Sequence, residues 1–128
     1  MAKWAHQDVL DNGLNYIKNN CNKVVAVIAY TSGDSYATVM TAGNIVAEAT
    51  LTSGDFVLST SGNDRVLTFS AGKQDTAANN TGDPTHFAFV DTANSKVLWV
   101  TTESSGQTVT VGNITTFPSL TYTNKQPV

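Results

Sequence analysis

His86-Phe87-Ala88-Phe89-Val90-Asp91, then Thr92-Ala93-Asn94-Ser95, then Lys96-Val97-Leu98-Trp99-Val100-Thr101-Thr102: this stretch decides the fold. Two apolar, β-branched and aromatic runs flank four turn-forming residues, which is the signature of a β-hairpin. Side chains alternate across a strand. Phe87 and Phe89 therefore share one face of the first arm, and the same period puts Val97 and Trp99 together on one face of the second.

Outward from the hairpin, glycine sets the rhythm. Eight of the nine glycines sit in a triplet of a small residue, glycine and a polar residue, such as Ser32-Gly33-Asp34, Ser61-Gly62-Asn63 and Val111-Gly112-Asn113. Such triplets are turn signals, because glycine and its polar neighbours accept backbone angles that other residues resist. Strand-like runs lie between them. They are Lys23–Tyr30, Asn44–Thr52, Phe56–Ser59, Arg65–Ser70, Gln107–Val111, Ile114–Phe117 and Leu120–Thr123. Lys73–Thr81 is polar and reads as an edge strand or an ordered loop. Lys23–Tyr30 is almost wholly apolar, so it is expected at the centre, buried on both faces. Pro118 implies a bend or an edge.

Eight or nine short strands in one domain call for two packed sheets. The expectation is an all-β, two-sheet jelly-roll or Greek-key sandwich with one short N-terminal helix. Residues 1–22 form the N-terminal arm and helix, 23–123 the strands, and 124–128 a loose tail. Val9, Leu10, Leu14 and Ile17 recur at helical spacing, which places the helix at about 8–19. Asp8 is its cap or a first-turn acid. Gly13 marks a break or a close contact within it. From Lys23 onward only strands are expected.

Composition bounds the function. A net charge of −3 with scattered Lys and Arg argues against nucleic acid. No run is long and apolar enough for a membrane span, and no signal-peptide pattern opens the chain. The single cysteine, Cys21, fits a reducing cytoplasm and cannot close an internal disulfide. Charged residues are 13% against the ~25% usual in soluble domains. Ser and Thr number 29, of which 19 are Thr, so hydroxyls rather than charges dress the strands. Free sheets guard their edges with charge and proline. Their scarcity suits either a sandwich covered by a partner or a hydroxyl-rich soluble one.

Nothing in the chain spells catalysis. The Gly-x-Ser-x-Gly and phosphate-loop motifs are absent. His6, Asp8 and Asp11 could be a metal cluster, but capping and solvation account for them. His6 and His86 are too few and too separated for a histidine-held ion. The loop aspartates lack the dense ligand alternation of a calcium loop. Trp4, ahead of the first element, is the aromatic best placed for an exposed contact.

Trp4-Ala5-His6-Gln7-Asp8-Val9-Leu10-Asp11-Asn12-Gly13-Leu14-Asn15-Tyr16-Ile17 carries a further pattern. So do Thr85–Thr92, Ser95–Thr102, and Val111-Gly112-Asn113 ahead of a strand and Pro118. In this order they resemble small structural proteins of tailed bacteriophages that decorate, or cement, the capsid exterior. The resemblance spans most of the chain. It departs around Ser61–Gly72, where such proteins are more basic and this chain has only Arg65 and nearby Lys73.

The resemblance implies a non-enzymatic, jelly-roll-like virion protein without cofactor or metal. It would be made in the host bacterial cytoplasm and placed on the capsid exterior. Its partners would be the HK97-type major capsid protein and itself, as a dimer or other small oligomer. Nucleic acid and membrane are not expected partners. Trp4, His6, Asp8, Asp11 and Tyr16 are the candidate capsid or inter-subunit contacts. The alternative is a glycan-binding sandwich built on exposed aromatics, free or displayed on a virion.

Overall fold

The computed structural model describes residues 4–127, apart from the side chains of Gln7 and Val9. Helix α1 spans Gln7–Asn20 and strand β1 Lys23–Val27; a one-turn helix, α2, spans Tyr36–Val39. The later strands are β2 (Ile45–Thr50), β3 (Phe56–Ser61), β4 (Asp64–Phe69), β5 (Gln74–Asp75), β6 (His86–Asp91), β7 (Lys96–Thr102), β8 (Thr115–Thr116) and β9 (Leu120–Asn124). They form an antiparallel sheet of four in the order β2-β1-β6-β7, another of three in the order β3-β4-β9, and the small pair β5-β8. The chain is thus mostly β, with antiparallel sheets and a short N-terminal helix.

The two main sheets meet through aromatic rings. Phe69 of β4 lies edge-on to Phe89 of β6 at 5.2 Å, and Phe89 stacks on Trp99 of β7 at 4.3 Å. Phe56 completes the cluster at 5.8 Å from Phe69. Such ring pairs add roughly 0.5–1.5 kcal/mol each beyond burial. Helix α1 packs against β3, β4 and β9 of the three-stranded sheet. Its Leu14 and Ile17 share the core with Val24 and Ala26 of β1.

The other face of β1 is also buried, as its apolar run required. Val25 and Val27 join Ala88 and Val90 beneath Val39 of α2. The expectation of strands alone after Lys23 is corrected here. Tyr36, Val39 and Met40 recur at helical spacing, and Ser35 caps the turn by accepting from Thr38 N at 3.2 Å. One turn is too short for its period to stand out. Strand β1 itself stops at Val27, and Ile28 and Ala29 are exposed.

The hairpin forms with its expected bounds, but its faces differ. Phe89 pairs with Trp99 and Val90 with Val97, so Leu98 is an extra residue in a β-bulge. The bulge reverses the alternation. Trp99 faces the inter-sheet core, whereas Val97 packs on the opposite cluster. At the tip, buried Asp91 accepts from Ala93 N, Asn94 N and Asn94 Nδ2. The Asn94 side-chain bond, opposed by desolvation, leads in holding the carboxyl below its ordinary value.

Two glycines show why the triplets recur. Gly62 (φ +62°) and Asn63 are the two loop residues between paired Ser61 and Asp64. A positive φ at the first loop residue alone fits a type II′ turn, which matches strand twist. Gly82 serves differently. A Cβ there would stand 3.1 Å from Ile28 and 3.2 Å from Val46, so close packing, not the backbone angle, favours it.

Gln107–Val111 is not a strand. Only Val109 bridges, to Gly82, with N–O distances of 2.8 and 2.9 Å. Lys73–Thr81 forms β5 and an ordered loop that guards the β2 edge. Asn79 N donates to Val46 O at 2.8 Å, and Glu48 N donates to the Asp75 carboxylate at 2.9 Å. This is the edge protection that charge-poor strands need. The tail is also held, contrary to the loose end expected. Gln126 exchanges two hydrogen bonds with Ala5, and its N–H also donates to Asp64 at 2.9 Å. Val128 lies outside the described residues.

Candidate functional site

The five candidate residues divide into three groups. Trp4 is 66% exposed and sits beside Thr60, Arg65 and Gln126. Its neighbour Ala5 is fixed by Gln126, donating at 2.8 Å and accepting at 3.0 Å. The indole is therefore displayed from an anchored backbone while contributing little to the core.

His6, rather than Asp8, caps α1. Its Nδ1 accepts from Asp8 N at 3.1 Å, and the two side chains lie 3.6 Å apart in solvent. The helix begins one residue earlier than its apolar spacing indicates, so Asp8 falls in the first turn. A carboxylate there complements the helix dipole. Asp11 is engaged internally. It accepts from Arg65 Nε at 2.7 Å with both side chains largely covered, which ties α1 to β4. It is a fastening between the helix and the sheet.

Tyr16 lies further along α1, half-exposed. Its hydroxyl accepts from Lys96 Nζ at 3.1 Å, and the ammonium lies 5.6 Å from the ring centroid. The hydrogen bond and the charge interaction with Tyr16 raise the Lys96 pKa above its ordinary value. Tyr16 also walls a groove with Gly13, Leu98, Tyr122 and Asn124. Gly13 neither breaks the helix nor makes a close contact. A Cβ there would meet nothing within 4 Å and would face the open groove.

The sequence reading missed the opposite end of the molecule. Val111 and Ile114 are 56% and 64% exposed, flanking the Gly112-Asn113 turn. As strand residues they should have alternated into the core. The available signal was the turn itself, since residues beside a Gly-Asn pair belong to an exposed tip. Behind this tip opens a cavity of about 380 Å³, walled by Phe87, Val109, Phe117, Pro84 and Pro118, with Glu103 in its rim.

Burial, the leading cause, pushes the Cys21 thiol up to about 12, so it is a core side chain and not a ready nucleophile. Among the described residues no three His, Cys, Asp or Glu side chains stand close enough to share a metal ion. No helix among them is long and apolar enough to cross a membrane. No family model, curated protein or solved structure matches the chain.

Proposed function

We propose that this chain is a non-enzymatic structural protein that decorates and cements the exterior of a tailed-phage capsid. It would bridge neighbouring major capsid proteins of the HK97 type, as a dimer or other small oligomer. On this reading the two main sheets are a reduced jelly-roll or Greek-key sandwich, made in the host cytoplasm and covered in part on the virion. One observation carries the proposal. Among the exposed large apolar side chains, which also include Tyr16, Ile28, Val57 and Tyr122, the three most exposed are Trp4 on the anchored arm and Val111 with Ile114 on the turn tip. A clamp needs two such points, one for each neighbour, and a sandwich is a rigid spacer between them. Large apolar groups left in water are informative when they gather at contact points.

The test is add-back. Purified protein is mixed with capsid shells lacking it, and the shells are sedimented and heated. Co-sedimentation and a raised disruption temperature are expected. Unbound protein and unchanged shell stability would sink the proposal.

A glycan-binding reading has one specific observation in its favour. Tyr16 and Tyr122, each near 40% exposed, flank one groove. Trp99 supplies no platform, because it is buried in the core. Saturable binding on a glycan array, lost in Tyr122→Ala, is the result this reading requires.

A further inference from the structure

Strand β3 reads Phe56-Val57-Leu58-Ser59-Thr60-Ser61, with no charge and no proline, and lies at the edge of its sheet. The direction of its backbone groups is fixed residue by residue. The Ser70 N–H donates to Asp55 O at 2.9 Å, one step beyond the Phe56–Phe69 pair. Bonded pairs recur at every second residue of an antiparallel ladder. Val57, Ser59 and Ser61 therefore turn their backbone groups toward β4. The two-residue turn at Gly62-Asn63 agrees, since such a turn closes on a bonded pair. Phe56, Leu58 and Thr60 turn theirs away from the sheet.

Phe56 is already satisfied. Its N–H donates to Ser53 O, and its carbonyl accepts from Lys18 Nζ at 2.9 Å. Leu58 and Thr60 are not, because among the described residues nothing bonds their N–H and C=O groups. Around them Val57, Ser59, Thr60 and Ser61 are exposed. The open window is two residues long, bounded by Lys18 at one side and by the turn at the other. Elsewhere the edges are guarded. Asp75 and Asn79 occupy β2, while β7 begins on Lys96 and carries the Leu98 bulge. Lysines and bulges are the usual devices against edge pairing. The open stretch of β3 has neither, and its register with β4 is regular. By the same phase β9 offers Thr121 and Thr123, but Leu98 and Tyr16 wall the groove beside it.

We propose that two copies of this chain join through β3, edge to edge and antiparallel, about a two-fold axis at Ser59. Leu58 then faces Thr60 of the partner subunit, and Thr60 faces Leu58 of the partner subunit. An isologous contact of this kind satisfies all the open groups of both windows at once. Ser59 meets its own copy as a non-bonded pair, and no charge is brought onto the axis. Phe56, blocked by Lys18, falls opposite Gly62 of the partner subunit, where that strand has already turned away. The blocked end of each copy thus meets the finished end of the other, which is why the occupant is a second copy. Two sheets of three become one of six. The inference deepens the oligomer in the proposed function and rests on that reading only for the dimer's use on a shell.

A contact this short falls at the weak end of interfaces, below ~1,200 Å², so the dimer is expected to be reversible. Sedimentation of the full chain at concentrations up to about 1 mM is expected to show monomer and dimer in exchange. Ser59→Lys sets two ammonium groups face to face and is expected to weaken dimerisation at least tenfold. Urea unfolding of that variant should match the parent, because Ser59 is exposed. Ser59→Cys places two thiols across the axis, where Cα atoms of a non-bonded pair stand ~4.5 Å apart and suit a disulfide. Mild oxidation is expected to link it at least tenfold faster than Tyr122→Cys, the matching centre of β9, with the buried Cys21 of the parent as background. A chain that stays monomeric throughout overturns the proposal. So does a dimer that Ser59→Lys leaves intact, or one linked faster at Tyr122→Cys. A monomer that still binds capsid shells overturns this interface and leaves the proposed function standing; a dimer that ignores shells does the reverse.

Discussion

At the start of β4, Arg65 reaches Asp11 at 2.7 Å, and Gln126 clasps Ala5 so that Trp4 is held out into solvent. Beyond the other end of the same strand, after Phe69, Ala71 and Gly72 border an open cavity of about 380 Å³. Six residues of strand, about 20 Å, separate these ends. Both ends carry polar ties across the sequence, Lys73 to Asp55 at 3.3 Å among those at the second, but the second is also concave with mainly apolar walls, and Val111 and Ile114 are exposed on the turn before β8. The contrast separates folding from contact. Beside the first set of ties the Trp4 indole stands exposed; beside the second, space for another molecule remains.

The largest effect expected from this contrast is in thiol reactivity. Cys21 lies under α1 with its pKa pushed from 9.0 to about 12, so at pH 8 its thiolate fraction is about a thousandfold below that of an ordinary cysteine. In a Val111→Cys variant the introduced thiol is exposed. Mass spectrometry after brief alkylation is expected to find the tip modified and Cys21 untouched until the protein unfolds. Comparable rates at both positions would erase the distinction between sealed and open regions.

Breaking the fastened end comes next. Asp11→Ala leaves Arg65 largely covered without its charge partner, a loss of about 3 kcal/mol by the measure of buried pairs. Urea unfolding checks it. A loss under ~1 kcal/mol would mean that the pair behaves as a surface ion pair and that something else holds α1.

These two positions also show what a sequence can tell. Leu10, Leu14 and Ile17 announced α1, and the hairpin runs His86–Asp91 and Lys96–Thr102 carried their own bounds, because local periodicity encodes both. Asp11 could be seen as an exposed contact only because its partner, Arg65, lies 54 residues away. The bulge at Leu98 has no glycine or proline to signal it; the different packing on the two faces of the sheet decides it. The cavity was illegible for the same reason as Asp11, since Phe87, Glu103 and Phe117 meet only after the sheets close. Val111 and Ile114 were hidden by the opposite error, an apolar alternation taken as strand where the backbone turns.

Gly13 offers a smaller effect of opposite sign. It lies inside α1, and a Cβ there would enter free space. Gly13→Ala is expected to stabilise the protein by about 0.5–1 kcal/mol, through helix propensity and a less flexible unfolded chain. Thermal unfolding reads it. Stabilisation accompanied by weaker capsid or glycan binding would show that the glycine keeps the groove beside Tyr16 open for a partner. Destabilisation would reveal a constraint on α1 beyond its own contacts.

The smallest expected change in stability carries the sharpest functional contrast. Val111→Ser with Ile114→Ser removes apolar groups that already face water, so unfolding free energy should stay within about 0.5 kcal/mol. Trp4→Ala at the fastened end should be similarly mild, because Ala5 and Gln126 hold the arm without the indole. If the molecule bridges two neighbours, each change alone should weaken retention on capsid shells and abolish the gain in shell stability, since a clamp holding one side transmits no load. Retention lost at one end only, with the other end silent, would replace the bridge by a single anchor. The folding data separate that outcome from damage, because neither variant should unfold at a lower denaturant concentration than the parent by more than the small amount above.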